Sequence, residues 1–226
     1  MEITYLGHSC FILEAGNSRL LFDPFITRNP LANEVNVDEI KPDYIFLSHG
    51  HEDHTADVER IYANSEATVV SNFEVITWFQ KKGIHKFHPM NTGGKWQFDF
   101  GLVKFVNAVH SSSMPDGSYG GAPGGFVVQT NDVTFYFAGD TALTRDMELI
   151  SKEYKLDFAF LPIGDNFTMG IHDALIAAEY LKIDKIIAMH FDTFPYIRID
   201  HKQVKELASN SKKELLLLKI GEKVNL

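Results

Sequence analysis

The sequence predicts an α/β protein built as a four-layer αβ/βα sandwich, two sheets face to face with helices outside. Three observations predict it. Short apolar runs of strand type come first and helical stretches follow, and the chain passes through this grammar twice. No low-complexity linker divides the passes, so residues 1–226 read as a single domain of two pseudo-symmetric halves. Polar side chains able to bind metal also recur at the ends of the apolar strands, where open α/β sheets build their sites.

Residues 3–6, 10–14 and 19–22 read as an opening antiparallel meander, with the turn Ala15-Gly16-Asn17-Ser18 joining the last two. Residues 44–48 and 68–71 are the next strands, followed by helices at 55–64 and 73–82. Asn72 is placed to cap the second helix, and Gly83 to end it. Strands at 96–98 and 103–106 lie across a turn. In the second half, 126–130 and 133–137 form a hairpin across Asn131-Asp132. Strand 158–161, helix 174–181, strand 185–189, helix 203–209 and strand 215–219 complete the chain. The longest irregular stretch, 111–125, carries five glycines and two prolines; an irregular loop of that length in a compact domain points to function.

Bulk composition narrows the partners. A net charge of −9 argues against nucleic acid, because phosphate contacts need clustered Lys and Arg. The pairs Lys81-Lys82 and Lys212-Lys213 read as solvated helix ends or turns. Cys10 is the single cysteine, which excludes an intramolecular disulfide and a thiolate metal cage. It lies in an apolar run, as a buried inert thiol does. No segment approaches the roughly 20 apolar residues that span a bilayer, and no basic leader precedes an apolar one. The expectation is a cytoplasmic protein with a small-molecule substrate, no nucleic acid, no membrane and room for homo-oligomers.

His49-Gly50-His51-Glu52-Asp53-His54 packs three imidazoles and a carboxylate into six residues, directly after the apolar run 44–48. Neutral imidazole and carboxylate are donors for Zn²⁺, Mn²⁺ or Fe²⁺, and such a turn can wrap one ion or two. The competing reading is a solvated His-rich loop, which so dense a cluster against a buried strand disfavours. Three further donors stand at the ends of apolar strands: His110, Asp140 and His190. Any one alone reads better as an ordinary histidine or aspartate. Together with the cluster they read as ligands.

His-x-His-x-Asp-His, a distant His, Gly-Asp-Thr and another distant His resemble the metallo-β-lactamase superfamily in order and spacing. The flanking segments Leu6-Gly7-His8-Ser9-Cys10-Phe11, Ala108-Val109-His110-Ser111-Ser112-Ser113, Leu161-Pro162-Ile163-Gly164 and Asn166-Phe167-Thr168-Met169-Gly170 resemble metal-dependent hydrolases near the L-ascorbate-6-phosphate lactonases. The likeness implies a metallo-β-lactamase-like fold holding two divalent ions per chain, Zn²⁺ foremost, with Mn²⁺, Fe²⁺ or Ni²⁺ as alternatives. It implies that His49, His51 and His110 hold the first ion, that Asp53, His54 and His190 hold the second, and that Asp140 bridges them. Two positions depart from the family pattern: Asp165, where glycine is common, and Ile171-His172, where proline often follows Gly170.

The implied activity is hydrolysis of a small ester, lactone or phosphoester by a metal-bridging hydroxide, with Asp53 or a metal-bound water helping to move the proton. His8 stands open between two readings, a substrate-binding or proton-donating residue and a turn-bonding one. Asp23 reads slightly better as a turn former before Pro24 than as a partner of a metal-bound imidazole. Asn166 and Phe194 are candidate substrate contacts, the latter in an apolar wall with Phe167, Met169, Phe191, Pro195 and Tyr196. His85, His88, His172 and His201 read as surface residues. The alternatives are a non-haem di-iron oxidoreductase and a phosphodiesterase or nuclease on the same fold. Histidine rather than glutamate at position 51 disfavours the first, and the acidic, arm-free chain the second.

Overall fold

The opening strands β1 (Glu2–Gly7), β2 (Cys10–Ala15) and β3 (Ser18–Phe22) form the expected meander, closed by a turn that pairs Ala15 with Ser18. The computed structural model describes residues 1–226. Parallel strands β4 (Tyr44–Phe46), β5 (Thr68–Asn72) and β6 (Phe87–Met90) extend the sheet. The second sheet starts antiparallel with β7 (Lys95–Phe98), β8 (Gly101–Asn107), β9 (Gly124–Gln129) and β10 (Thr134–Phe137). It continues parallel through β11 (Phe158–Pro162), β12 (Lys185–Met189) and β13 (Glu214–Leu216). Strand β14 (Lys223–Asn225) returns to the first sheet and pairs with β1. Each sheet therefore has seven strands, ordered β14-β1-β2-β3-β4-β5-β6 and β13-β12-β11-β10-β9-β8-β7.

Side-chain alternation along the strands explains the layers, since successive residues point to opposite faces. Phe22, Phe46 and Val70 belong to the core between the sheets, while their neighbours Leu21, Ile45, Leu47 and Val69 face the other way. That outer face is covered by α2 (Val58–Ser65) and α3 (Phe73–Gln80), through Val58, Ile61, Val75, Ile76 and Phe79. On the second sheet α4 (Asp146–Glu153) and α5 (Ile171–Leu181) supply Met147, Ile150, Ala174, Ala177, Ala178 and Leu181; α6 (His201–Asn210) supplies Ala208. The inner core is a phenylalanine lattice. The Phe22 ring meets those of Phe46, Phe126, Phe135 and Phe137 at centroid distances of 4.7–6.2 Å.

Several boundaries differ from expectation for physical reasons. The helix expected at 55–64 begins only at Val58, as α2, and is preceded by a separate single turn, α1 (Glu52–Thr55). Between them Asp57 is buried and accepts from the amides of Ile26 (2.6 Å) and Thr27 (3.0 Å) and the Thr27 hydroxyl (2.6 Å), which ties the 24–27 segment down at the break. Strands β6 and β14 and helix α4 are absent from the sequence reading, because His88-Pro89 and the charged ends of β14 and α4 hide their period. Asn72 caps α3 as expected, its Oδ1 accepting from the Val75 amide at 2.8 Å.

Candidate metal centre

Every donor named from the sequence lies at the end of a strand or in the turn and short helix that follow one, on the same side of the sandwich. The His49–His54 segment follows β4 and leads into α1, so Glu52, Asp53 and His54 belong to a helical turn. Gly50 permits the close approach of the 111–123 loop: a Cβ there would meet Met114 Sδ at 2.6 Å and the Ser113 carbonyl at 3.0 Å. His110 follows β8, Asp140 follows β10 and His190 follows β12. Gly139, at φ +61°, aims Asp140; a Cβ there would meet Ser48 Cβ at 2.6 Å.

The side chains converge into groups whose ligand atoms all lie within 4.8 Å of one another. His49, His51 and His110 form one, and His8, Asp53, His54 and His190 form another; His49, His54 and Asp140 join them. Asp140 Oδ2 is 3.5 Å from His110 Nε2, 3.3 Å from His54 Nε2 and 3.0 Å from His190 Nε2, touching both groups. His54, His190 and Asp140 side chains are essentially buried, whereas Asp53 is 26% and His110 13% exposed. The accessible side is therefore the one carrying Asp53 and His110.

Asp23 holds two of the imidazoles at once. Its Oδ2 accepts the His54 Nδ1–H at 2.8 Å and the Ser48 hydroxyl at 2.7 Å, and its Oδ1 accepts the Ser48 amide at 2.8 Å. Ser48 has given its only hydroxyl hydrogen to Asp23, so it accepts from His49 Nδ1–H at 2.9 Å. Both rings are thereby set with lone pairs on Nε2, facing inward. This corrects the preference for Asp23 as a turn former: it is a fully buried carboxylate orienting two imidazoles, at the end of an apolar strand like Asp140. Its position was the signal available in the sequence, masked by the Asp-Pro pair. Ser48, read only as the end of a strand, was missed because a hydroxyl carries no chemical signature of its own.

The residues fit a cation. His54 Nε2 and Asp140 Oδ1 are buried without a hydrogen-bond partner. His49 Nε2, a lone pair, lies 2.8 Å from His51 Nδ1, so two ring nitrogens converge on one point. The donors are imidazole and carboxylate only, the set that suits Zn²⁺, Mn²⁺ or Fe²⁺. Electrostatics agree. Burial pushes His49 well down, keeping it neutral. Burial alone would lower His54 too, but Asp140, Asp53 and Asp23 around it raise it well above the usual histidine range. Burial likewise opposes ionisation of Asp140, yet the neighbouring His190 and His54 carry it well below the usual carboxylate range. The carboxylates thus favour positive charge at His54 Nε2, a proton there in the absence of metal and a cation in its place when one is bound.

His8 lies within this centre and is buried. Its Nε2 is 3.1 Å from Asp53 Oδ2 and its Nδ1 3.0 Å from Thr193 Oγ1, and burial, then the neighbouring His190, pushes it down to about 4. Phe194 is half-buried, its ring 5.5 Å from His8 and 6.1 Å from Phe25. Asn166 stands exposed at φ 57°, beside Asp165 at φ 62°, a conformation glycine enters freely. Phe167 and Tyr196 are exposed, with rings 6.1 Å apart. Met169 and Phe191 are corrections to the expected apolar wall, since both are buried in the core. His85, His172 and His201 are exposed, and His88 is half-buried against Trp96. A cavity of about 240 Å³ beside α4, lined by Val106, Met147, Ile150 and Tyr154, includes none of the centre's residues. No helix is long and apolar enough to cross a membrane.

Comparison with known proteins agrees with this geometry. A family model described as the beta-lactamase superfamily domain matches residues 2–190. A UPF0173 metal-dependent hydrolase of Christiangramia forsetii is 52% identical over 227 residues, covering all of both chains. A homologue of the same name from Thermus thermophilus is 46% identical, over all of this chain and 99% of its own. Among solved structures, Igni18, a metallo hydrolase of the hyperthermophilic archaeon Ignicoccus hospitalis, superposes with a TM-score of 0.88 at 33% identity, covering 99% of this chain and 97% of its own. With its sandwich fold and its converging imidazoles and carboxylates, the chain belongs to the metallo-β-lactamase superfamily and is a metal-dependent hydrolase.

Proposed function

We propose that the enzyme is a dinuclear hydrolase of a small ester, lactone or phosphoester. The observation that carries the reading is the position of Asp140, whose one oxygen contacts both donor groups. His49, His51 and His110 would hold one ion, Asp53, His54 and His190 the other, with Asp140 shared. Divalent ions bound there supply an electrophile for the substrate oxygen and an acidified water. The chain's own residues do the rest. Asp23 and Ser48 keep His54 and His49 in the tautomers that point Nε2 inward. Asp53 is the carboxylate of the centre with real exposure, so it is placed to take and return a proton at its solvent side. His8 lies fully buried behind Asp53, shielded from solvent. Phe194 borders the centre on the His8 side and offers an apolar contact.

The reading is tested by metal content, measured by plasma mass spectrometry on protein purified without chelator or affinity nickel. The same batch is assayed on chromogenic esters, lactones and phosphodiesters. Close to two Zn or Mn per chain with chelator-sensitive hydrolysis is the expected result. Two irons with a redox-active absorption band would move the assignment to a di-iron oxidoreductase, and a site left empty under metal-replete conditions would sink it.

A further inference from the structure

We infer that His8 is a fourth protein donor to the second cation, beside Asp53, His54 and His190. The inference rests on the dinuclear reading above, and its basis is the direction of the hydrogen bonds. An imidazole that binds metal through one nitrogen gives its other N–H to a protein acceptor. His54 gives its own to Asp23, and His49 gives its own to Ser48, whose hydroxyl hydrogen passes on to Asp23. His8 repeats the second arrangement on the opposite flank. Its Nδ1 is 3.0 Å from Thr193 Oγ1, and the Thr193 hydroxyl donates to the Phe191 carbonyl at 3.3 Å.

One hydroxyl carries one hydrogen; with it turned to the Phe191 carbonyl, Thr193 accepts from His8 Nδ1–H. His8 Nε2 is then a lone pair, and it faces an oxygen of Asp53 at 3.1 Å. Two lone pairs at that distance on a side chain with no solvent exposure repel unless a cation lies beside them. The inward atoms of Asp53, His54 and His190 lie within 4.8 Å of the same place. The backbone is built for this presentation. His8 holds the left-handed conformation, φ 56°, at the end of β1, and its carbonyl accepts the His190 amide at 2.9 Å.

The consequence is an asymmetry between the two ions. The second would be held by four protein donors and the shared Asp140. The first would have three imidazoles and Asp140, one protein donor fewer, and so an open position. Substrate entry is thereby assigned to the ion of His49, His51 and His110.

Cobalt-substituted protein tests this directly. An imidazole bound to Co²⁺ shows a hyperfine-shifted, solvent-exchangeable N–H resonance, and buried His8 should contribute one. His8→Gln should remove that signal and weaken uptake of the second Co²⁺ by more than about 100-fold, beyond the 10–100-fold cost of losing an outer partner. Thr193→Val, which removes only the acceptor, should shift the His8 signal and leave the stoichiometry at two; it answers the question if His8→Gln does not fold. Two cobalt ions in the wild type, with the same set of signals in both variants, would overturn the His8 assignment alone. One cobalt ion in the wild type would overturn the dinuclear reading and His8's role together.

Discussion

The amide of His190 donates to the carbonyl of His8 at 2.9 Å, joining the end of β12 in one sheet to the β1–β2 turn of the other. Both residues are in the left-handed region, at φ 54° and 56°. Non-glycine residues there cost about 1–3 kcal/mol each and persist only where surrounding structure imposes them. Here the imposed geometry aims two imidazoles into one centre.

A first prediction concerns that backbone. His8→Gly and His8→Ala both remove the ring, but only alanine keeps the left-handed penalty. Part of the glycine advantage is offset by its freer unfolded chain, leaving it the more stable by up to about 1 kcal/mol. Urea unfolding of the two metal-free variants measures the difference. Alanine equal to or more stable than glycine would mean that the backbone relaxes away from the observed conformation.

Asp23 and Ser48 yield a graded series. Ser48→Ala disturbs His49 alone, whereas Asp23→Asn disturbs both His54 and the Ser48 link to His49. Metal affinity should fall about 10–100-fold for an outer partner, with Asp23→Asn the more damaging. Competition against a chromogenic chelator resolves the order. A smaller effect for Asp23→Asn than for Ser48→Ala would break the chain of hydrogen bonds described.

Removing metal should cost stability across the whole fold, because the candidate ligands come from both sheets. A ligand present at 100–1,000 times its Kd stabilises by about 2.7–4.1 kcal/mol. For a chain of this size that is a drop in Tm of roughly 5–16 °C on chelation. Scanning calorimetry before and after dialysis against chelator reads it, and an unchanged Tm would argue that the centre is not occupied.

The 111–123 loop carries a pH signature. Asp116 accepts from the Ser118 amide and hydroxyl and from Trp78 Nε1, which lies 2.7 Å away on α3. These hydrogen bonds, Ser118 first, lower its carboxyl to about 2. A folded value below the unfolded one means that the anchoring is intact above about pH 4 and is lost as pH falls through about 2. The Trp78 indole N–H resonance should hold its position down to about pH 3 and shift only below it. A shift centred near pH 4 would show that Asp116 does not anchor the loop.

Much of this was legible from residues whose chemistry is concentrated. The cluster at 49–54 announced itself by density, and His110, Asp140 and His190 by standing at the ends of apolar strands. The hairpin at 126–137 followed from alternation around Asn131-Asp132, and the structure pairs Thr134 with Gln129 across it. What stayed hidden depends on three-dimensional neighbours. Ser48 and Thr193 are ordinary hydroxyl residues until a ring nitrogen lies 2.9–3.0 Å away. Asp23 was obscured because Asp-Pro is also a turn signal. Strand β6 was obscured because the proline inside it contradicts a strand reading, though at a sheet edge proline is tolerated.

The partition of the donors between the sheets bears on how the enzyme comes into being. His8, Asp23, His49, His51, Asp53 and His54 precede the crossing to the second sheet, and His110, Asp140 and His190 follow it. In the proposed assignment neither half carries a complete set for even one ion. A fragment ending between β6 and β7 would thus be catalytically mute however well it folded, and so would its complement. Mixing the two could restore a binding site only where the phenylalanine interface had also closed, so that metal uptake would count reassembled molecules.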